Sequence, residues 1–239
     1  MAADKPNSVV VTGAAGDLGT AVVDSFLADG FRVYGGDVAP IRAQPGLVTS
    51  KLDVTEREQV FALARRAAAE SNLKVWVNVA GLFEAAKVIE ADPAIWHKVI
   101  GINLTGTYHG CAAALSVMAP AQGGRIVNVG SLSGQLGGLS VHPAYGASKA
   151  GVHALTKAYA LEGAKHNVFC NAVAPGPIDG RMTAKFSPST LDKIRAGIPG
   201  KRLATMDEVV HAIRYLADDR AGHTTGTILQ VNGGVLMTG

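Results

Sequence analysis

The stretch SVVVTGAAGDLGTAVVDSFLADG, residues 8–30, decides the fold. It begins with a short β-branched run that stops at Gly13, which is typical of a buried strand. The loop AAGDLG follows, and then a segment whose apolar side chains share one helical face until Gly30 ends it. Strand, glycine loop and helix in this order predict a phosphate-binding site, because glycines let the backbone approach a pyrophosphate and the helix N-terminus favours an anion.

The next predicted strand, FRVYGGD, ends at Asp37, 18 residues after Gly19. An acidic residue near this spacing accepts hydrogen bonds from the adenosine ribose of a dinucleotide and repels a 2′-phosphate. Neither the glycine loop nor the two residues after Asp37 contain Arg or Lys, although Arg42 is not far away. The sequence therefore favours NAD over NADP.

Strand-like and helix-like segments alternate along the 239 residues, without an internal repeat or an obvious linker. Such alternation is typical of a parallel sheet with helices on both faces. We expect a single domain, residues 1–239, with a substrate lid near residues 177–200, because loops at the carboxyl edge of such sheets form ligand sites. Within the lid, Pro188 and Gly197 predict the two ends of a short helix.

Three further sequence signals predict where helices begin. Capping-box patterns occur at Thr55–Glu58 and Thr205–Glu208, and Asp92–Pro93 is typical of a helix N-terminus. The helix after Pro93 carries Asn103 inside its apolar pattern. Because an amide is out of place there as a packing choice, it predicts a kink or a bound water.

Composition excludes several kinds of partner. The net charge is +3 and the 22 basic residues are dispersed, so we expect no nucleic-acid partner. Cys111 and Cys170 show no metal-ligand spacing, so we expect buried free thiols and no metal site. No apolar run is long enough for a signal peptide or a membrane span, so we expect a cytoplasmic protein without a membrane partner.

The string HPAYGASKAG places Tyr145 and Lys149 four residues apart, on one face of a predicted helix. A tyrosine needs a fixed positive charge beside its phenolate to exchange protons at neutral pH, and Lys149 can supply it. The strand-like segment GRIVNVG brings Ser131 to the same sheet edge. A hydroxyl, a phenol and an ammonium there suit proton transfer at a carbonyl oxygen. The Tyr and Lys spacing alone is a weak signal, because it also arises by chance.

Taken together, the motifs resemble the short-chain dehydrogenase/reductase family, in its compact single-domain branch. The resemblance runs from TGAAGDLG through DV, NVAG, the helical Asn, Ser131, YGASK and PGPI to VNGG, nearly the whole chain. The lid-to-terminus segment is similar to that of 3-oxoacyl-[acyl-carrier-protein] reductases. The resemblance implies a Rossmann-type, doubly wound α/β fold with a seven-stranded parallel sheet, and hydride transfer between NAD(H) and a secondary alcohol or ketone.

The resemblance also implies a role for each matching residue. Tyr145 is expected to be the acid/base, Ser131 to bind the substrate oxygen, Lys149 to hold the nicotinamide ribose and lower the Tyr145 pKa, and Asn103 to hold a water. The residues expected to line the cofactor site, besides Tyr145 and Lys149, are Gly13, Gly16, Asp17, Leu18, Gly19, Asp37, Asp53, Val54, Asn78, Ala80, Gly81, Pro175, Gly176 and Ile178.

The chain departs from the family pattern at four places. Asp17 replaces the usual middle glycine of the loop, and we expect its carboxylate to point outward, where a helix N-terminus favours it. Val79 replaces an Asn, a minor change. The Ser131 to Tyr145 spacing is one residue longer than usual; Ser133 is also nearby, but Ser131 directly follows the strand. Gly180 stands where a Thr is common, and Thr183 is a candidate substitute.

The substrate is harder to predict than the cofactor. The candidate pocket residues are mostly apolar, with a few polar groups, which favours a hydrophobic carbonyl compound such as a 3-oxoacyl group; they are Gln135, Leu136, Leu139, His142, Met182 and Phe186. His142 is interpreted as a loop residue with a satisfied hydrogen bond. The alternative function is a non-catalytic NAD(P)-binding regulator, although such a protein would typically have lost Tyr145, Lys149 or Ser131. A methyltransferase or an epimerase fits the motifs less well.

The resemblance further implies a homotetramer, packed through the long helices near Asn103 and Tyr145 and through the apolar tail, residues 235–237. The sequence alone supports only an oligomer.

Overall fold

Seven strands form one sheet in the computed structural model, which describes residues 5–84, 92–137, 142–181 and 183–238. The strands are β1 (Asn7–Thr12), β2 (Arg32–Asp37), β3 (Leu47–Lys51), β4 (Asn72–Asn78), β5 (Gly124–Val129), β6 (Val168–Pro175) and β7 (Ile228–Val231). Their order is β3-β2-β1-β4-β5-β6-β7, and every neighbouring pair is parallel. The predicted seven-stranded parallel sheet is confirmed. Its order reverses between β1 and β4, where open α/β sheets form a ligand crevice at the carboxyl ends of the strands.

Helices cover both faces of the sheet. They are α1 (Asp17–Ala28), α2 (Arg57–Glu70), α3 (Pro93–Ile100), α4 (Gly106–Met118), α5 (Ser133–Leu136), α6 (Pro143–Gly163), α7 (Pro188–Gly197) and α8 (Met206–Ala217). Along β1, Val9 and Val11 pack with residues of α1 and α8, whereas Val10 packs on the opposite face with residues of α2 and α4. The side chains of a strand alternate between faces, so a fully buried β-branched run serves both layers at once.

The first residues of the helices confirm two of the three predicted capping signals. Asp92 caps α3 by accepting a hydrogen bond from Ala94, and the capping box at Thr205 and Glu208 opens α8 as predicted. The pattern at Thr55–Glu58 is not a capping box, since α2 begins at Arg57 with Glu56 as its N-cap. The physical reason is local: the Asp53 carboxylate accepts hydrogen bonds from the Thr55 N–H (2.9 Å) and hydroxyl (2.7 Å), so Thr55 turns back towards β3.

The helical stretch from α3 to α4 is interrupted where Asn103 predicts a kink. Residues Gly101–Thr105 form a π-helical turn between the two helices, and Asn103 lies fully buried at its centre. Such turns often mark functional sites because they change the direction of a side chain inside a continuous helix.

Cys111 and Cys170 are buried free thiols, as predicted. In the part of the chain that the structure describes, no cluster of three His, Cys, Asp or Glu side chains could hold a metal ion. Among the same residues, no helix has both the length and the apolar character needed to cross a membrane.

Candidate active site

A large cavity, about 1530 Å³ in volume, opens at the carboxyl ends of the central strands. It brings together most of the residues that the sequence singles out, and those in its lining are Gly13, Gly16, Asp17, Leu18, Gly19, Asp37, Asp53, Val54, Ala80, Gly81, Ser131, Tyr145, Lys149, Pro175, Gly176 and Ile178. Two predicted residues, Asn78 and Asn103, lie behind this lining.

Two glycines of the loop between β1 and α1, Gly13 and Gly19, are packed too tightly to carry a side chain. Gly13 has a φ of +70°, and a Cβ on it would lie 2.7 Å from the backbone of Ala80. A Cβ on Gly19 would lie 1.9 Å from the carbonyl oxygen of Gly13. The backbone of the loop therefore forms the cavity wall itself, at the N-terminus of α1. This cradle fits a dinucleotide diphosphate, which backbone N–H groups and a helix N-terminus bind.

Asp37 lies at the end of β2, where its carboxylate is held by the backbone. One oxygen accepts a hydrogen bond from the Ala15 N–H at 3.0 Å, and the other accepts one from the Ala39 N–H at 2.9 Å. Arg42 lies against Asp24, at 3.9 Å, and does not line the cavity. The carboxylate at the predicted ribose position is thus fixed, and no arginine of this segment lies beside it.

Asp17, the unusual residue of the glycine loop, is paired with the loop after β6. Its Oδ2 accepts a hydrogen bond from the Arg181 N–H at 3.0 Å, and its other oxygen pairs with the Arg181 guanidinium. The carboxylate is therefore directed towards a cationic partner. Gly180 lies at the same contact, since a Cβ on it would be 3.4 Å from the Asp17 Oδ2.

Ser131, Tyr145 and Lys149 converge at the other end of the cavity. Ser131 follows β5, and its hydroxyl accepts a hydrogen bond from the Ser133 N–H at 3.1 Å. Tyr145 and Lys149 lie in the first turns of α6, which His142 caps by accepting a hydrogen bond from the Ala144 N–H at 3.2 Å. Lys149 Nζ donates to the carbonyl of Val129 at 2.7 Å, which holds α6 against the end of β5.

The pKa values at this end of the cavity are set mainly by burial. Burial raises the pKa of Tyr145, and the interaction with the Ser131 side chain lowers it in part. Lys149 donates to the Val129 carbonyl and its Nζ lies 5.9 Å from the centre of the tyrosine ring, and the expected lowering of the Tyr145 pKa by its charge stays a prediction. Burial lowers the pKa of Lys149 to about 8. At neutral pH the phenol is protonated and the lysine is still mostly charged.

Asn103 connects three elements around the site. Its Oδ1 accepts a hydrogen bond from the Leu82 N–H at 2.7 Å, and its Nδ2 donates to the Leu82 carbonyl and to the Ser148 hydroxyl, at 3.0 Å and 3.1 Å. The π-helical turn is what aims this amide at both partners. Asn103 thus ties the loop after β4 to α6, the helix of Tyr145 and Lys149.

Asn78 lies in the sheet interior and outside the cavity lining, contrary to the expectation that it flanks a cofactor. Its side chain accepts a hydrogen bond from the Trp76 indole at 2.7 Å and donates to Asn128 at 2.8 Å. Asn128 in turn donates to the Thr156 hydroxyl at 3.0 Å. The amide therefore belongs to a buried polar network that ties β4 to β5 and α6.

His153 is a site residue that the sequence analysis misses. It lies on α6, and its Nε2 accepts a hydrogen bond from the Ser131 N–H at 3.5 Å. Its ring fills the space left by two glycines, because a Cβ on Gly130 or Gly134 would lie 2.3 Å or 2.8 Å from ring atoms. Burial, together with the charges of Lys149 and Lys157, lowers the pKa of His153 to about 4, so the ring is neutral and able to accept.

The lid contributes the remaining wall of the cavity. Phe186 and Leu136 line it as expected, and α7 adds Thr190, Lys193 and Ile194. Gln135 and His142 do not line the cavity, and Leu139 and Met182 lie outside the described residues.

Thr183 also lies in the cavity lining, but its hydroxyl is occupied in the lid turn. It donates to the Ile178 carbonyl at 2.8 Å and accepts from the Gly180 N–H at 3.1 Å. The side chain therefore closes the turn that follows Ile178.

Comparison with known proteins gives consistent matches. A protein-family model described as enoyl-(acyl carrier protein) reductase matches residues 13–236. The acetoacetyl-CoA reductase of Shinella zoogloeoides is 35% identical over 233 residues, which cover 94% of this chain and 96% of that protein. The cis-4-hydroxycyclohexanecarboxylate dehydrogenase of Sinomonas cyclohexanicum is 39% identical over 236 residues, which cover 94% of each.

A solved structure described as ElxO with NADP bound aligns with a TM-score of 0.87 and 29% identity, covering 97% of this chain and 98% of that one. The fold is therefore shared with a solved structure that holds NADP, and the sequence relatives are named as enzymes of alcohols or carbonyl compounds.

Proposed function

The chain belongs to the short-chain dehydrogenase/reductase family, and from this premise we propose that it transfers a hydride between NAD(H), in preference to NADP(H), and a secondary alcohol or ketone. It is an oxidoreductase of alcohol and carbonyl groups. The relatives reported above are named as enzymes, so the non-catalytic alternative has no support.

The observation that carries this proposal is the convergence of Ser131, Tyr145 and Lys149 at one end of the cavity. In the reduction direction, the Tyr145 phenol is the proton donor to the substrate oxygen, and its raised pKa keeps that proton in place at neutral pH. The Ser131 hydroxyl binds the same oxygen. The Lys149 ammonium binds the nicotinamide ribose and makes the phenolate less costly once the proton has left.

A bound nicotinamide dinucleotide would supply the hydride. The backbone of the glycine loop would hold its diphosphate, Asp37 its adenosine ribose, and Asp53 with Val54 its adenine edge. Ala80, Gly81, Pro175, Gly176 and Ile178, all in the cavity lining, would hold its nicotinamide half. Asn103, whose amide reaches Leu82 and Ser148, would support a water of the proton relay.

The preference for NAD rests on the fixed carboxylate of Asp37. A 2′-phosphate at that position would face an anion, and the next residue, Val38, is apolar and 63% exposed. Arg42, the nearest candidate for binding that phosphate, is paired with Asp24. These contacts favour NAD although a relative of known structure holds NADP.

The substrate that we propose is a hydrophobic carbonyl compound, with 3-oxoacyl thioesters among the candidates. The substrate end of the cavity is walled by apolar side chains, among them Phe83, Leu136, Phe186 and Val235. Phe83 packs edge-on against the Tyr145 ring, with 5.3 Å between centroids, which shields the phenol on one side. An apolar wall around one proton donor selects by shape more than by charge.

We also propose that the chain is a single domain that assembles as a homotetramer through its long helices and its apolar tail. Tyr108 of α4 and Leu161 of α6 are exposed, and Met237 is exposed in the tail. Tyrosine and methionine are enriched at protein–protein interfaces, so Tyr108 and Met237 support this proposal.

The first test is a titration of the wild type and of Asp37→Ala with NADH and with NADPH in one buffer. We expect NADH to bind more tightly to the wild type, and the substitution to weaken NADH binding by about 10-fold to 100-fold, the range for a lost charge-assisted hydrogen bond pair. Asp207→Ala, an exposed aspartate outside the cavity lining, is the matched control. Tighter binding of NADPH to the wild type would contradict the preference.

The catalytic part of the proposal is tested with Tyr145→Phe in a screen of alcohols and ketones. We expect kcat to fall by about 10² to 10⁴, the usual contribution of a general acid, with the NADH dissociation constant unchanged within a factor of two. Equal turnover by the variant and the wild type would show that Tyr145 does not donate the proton.

A further inference from the structure

The contact between Asp17 and Arg181 joins one departure from the family pattern, Asp17, to the residue that follows another, Gly180. Asp17 begins α1 inside the cavity wall, and Arg181 follows Gly180 in the loop after β6. The carboxylate receives both the Arg181 N–H and the Arg181 guanidinium. The start of the cofactor cradle is thereby fixed to the start of the lid.

Stability of the fold does not explain this pair. The Arg181 side chain is 72% exposed and the Asp17 side chain 33% exposed, and exposed ion pairs contribute little to the free energy of folding. Charge in the cavity does explain it. A carboxylate at the N-terminus of α1 lies in the cavity lining beside the place where a dinucleotide's diphosphate is expected to bind, and two anions repel each other there.

We propose that Arg181 is a positioning residue for the dinucleotide: by neutralising the Asp17 carboxylate and holding it towards the lid, it keeps the N-terminus of α1 attractive to the diphosphate. The inference rests on the proposed cofactor binding and assigns a task to a residue outside the predicted site. It also explains Gly180, because a side chain at that position would begin 3.4 Å from the carboxylate oxygen and crowd the pair.

The test is a double-mutant cycle in which NADH binding to each variant is measured by fluorescence titration, without substrate. We expect Arg181→Ala to weaken binding by about tenfold, because it leaves an unpaired carboxylate beside the diphosphate. Asp17→Asn keeps the size of the side chain and removes its charge, and we expect it to bind NADH within about twofold of the wild type. The double variant should recover to within about threefold of the wild type, since no uncompensated charge remains.

Ligands that lack parts of the dinucleotide separate this role from a merely structural one. ADP-ribose carries the diphosphate and should lose the same factor as NADH in Arg181→Ala. Adenosine carries no phosphate and should bind both proteins equally. The loss should also shrink at about 1 M salt, where charges in contact with solvent are screened. A general distortion of the cleft would weaken all three ligands at every salt concentration and would overturn the inference.

Two controls keep the cycle interpretable. Arg195→Ala removes an exposed arginine of α7 that pairs with Asp192, so it matches the change in net charge without touching Asp17. Arg181→Lys keeps a cation and should retain most of the affinity, and thermal unfolding shows whether each variant is folded.

If Arg181→Ala binds NADH as tightly as the wild type, or if the double variant binds it as weakly as Arg181→Ala, the proposed role of Arg181 is wrong, while the proposed function still stands. A folded wild type that binds neither NADH nor NADPH would instead overturn the proposed function.

Discussion

The glycine loop and the lid helix α7 both line one cavity, and they are built in different ways. In the loop the wall is backbone, and a Cβ on Gly19 would lie 1.9 Å from a carbonyl oxygen. The helix that follows it, α1, buries Val22, Val23 and Phe26. By contrast, none of the ten residues of α7 is buried. The cofactor wall therefore has no room for a side chain at Gly13 or Gly19, whereas the lid wall is made of side chains that can change without disturbing the core.

This difference agrees with the relatives, whose names give acetoacetyl-CoA and cis-4-hydroxycyclohexanecarboxylate as different substrates for one shared fold. A fixed cofactor wall and a variable lid allow the same chemistry to serve many carbonyl compounds.

The strongest test of the comparison is a matched pair of Gly→Ala substitutions. Gly19→Ala drives a methyl group into the Gly13 carbonyl, so we expect NADH affinity to fall by at least about 100-fold or the protein to fail to fold, as overpacking of backbone allows no relaxation. Gly197 is the last residue of α7, and the methyl group added by Gly197→Ala would have nothing within 4 Å of it. It should change the free energy of unfolding by less than about 1 kcal/mol. NADH titration and thermal unfolding measure both, and equal effects would break the contrast.

The next largest expected effect is on the free energy of unfolding, when Lys149 is replaced. Its pKa falls from 10.5 to about 8 on burial, which corresponds to about 3 kcal/mol of destabilisation at neutral pH. Between pH 8 and 10.5 the unfolded chain binds more protons than the folded one, so stability rises with pH in that window. We expect Lys149→Met, without cofactor, to be more stable than the wild type at pH 7, by at most about 3 kcal/mol.

The advantage of Lys149→Met should shrink as the pH rises through 8 towards 10, while NADH affinity is reduced at every pH. Urea unfolding of both proteins at several pH values measures this difference. A constant difference across that range would show that the ammonium is not destabilised by burial.

A substitution of His153 tests whether residues behind the cavity lining also hold the site residues in place. His153→Ala removes the acceptor for the Ser131 N–H and the ring that packs on Gly130 and Gly134. We expect kcat to fall by about tenfold, a loss typical of a displaced catalytic group, with the NADH dissociation constant unchanged. In a Ser131→Ala background the same substitution should have almost no further effect, because the two residues act as a unit. Additive losses would assign His153 to general stability instead.

The contrast between the walls also marks what the sequence could predict. Patterns that act within a few residues were enough for the sheet, the cap of α3 and the glycine loop, since spacing alone determines those contacts. Thr55 was misassigned because two local patterns compete there: the Asp53 carboxylate, two residues away, accepts a hydrogen bond from the hydroxyl that a capping box would use. Asn78 and His153 depend on partners in other strands and helices, Asn128 and Ser131, which no local spacing indicates.

The smallest expected effect comes from the lid, and two neighbouring residues of α7 isolate it. Ile194 and Leu191 are both partly buried, but only Ile194 lines the cavity. Ile194→Ala removes apolar contact with the substrate, worth about 1 kcal/mol, so we expect KM for a hydrophobic ketone to rise about threefold to tenfold, with kcat and the NADH dissociation constant unchanged. Leu191→Ala makes a similar change in the same helix and should leave KM unaltered.

A fall in NADH affinity with Ile194→Ala would mean that the lid also shapes the cofactor site. A rise in KM with Leu191→Ala would mean that α7 acts through its own stability. If only Ile194→Ala raises KM, substrate choice lies in side chains of the lid that can vary independently of the glycine loop.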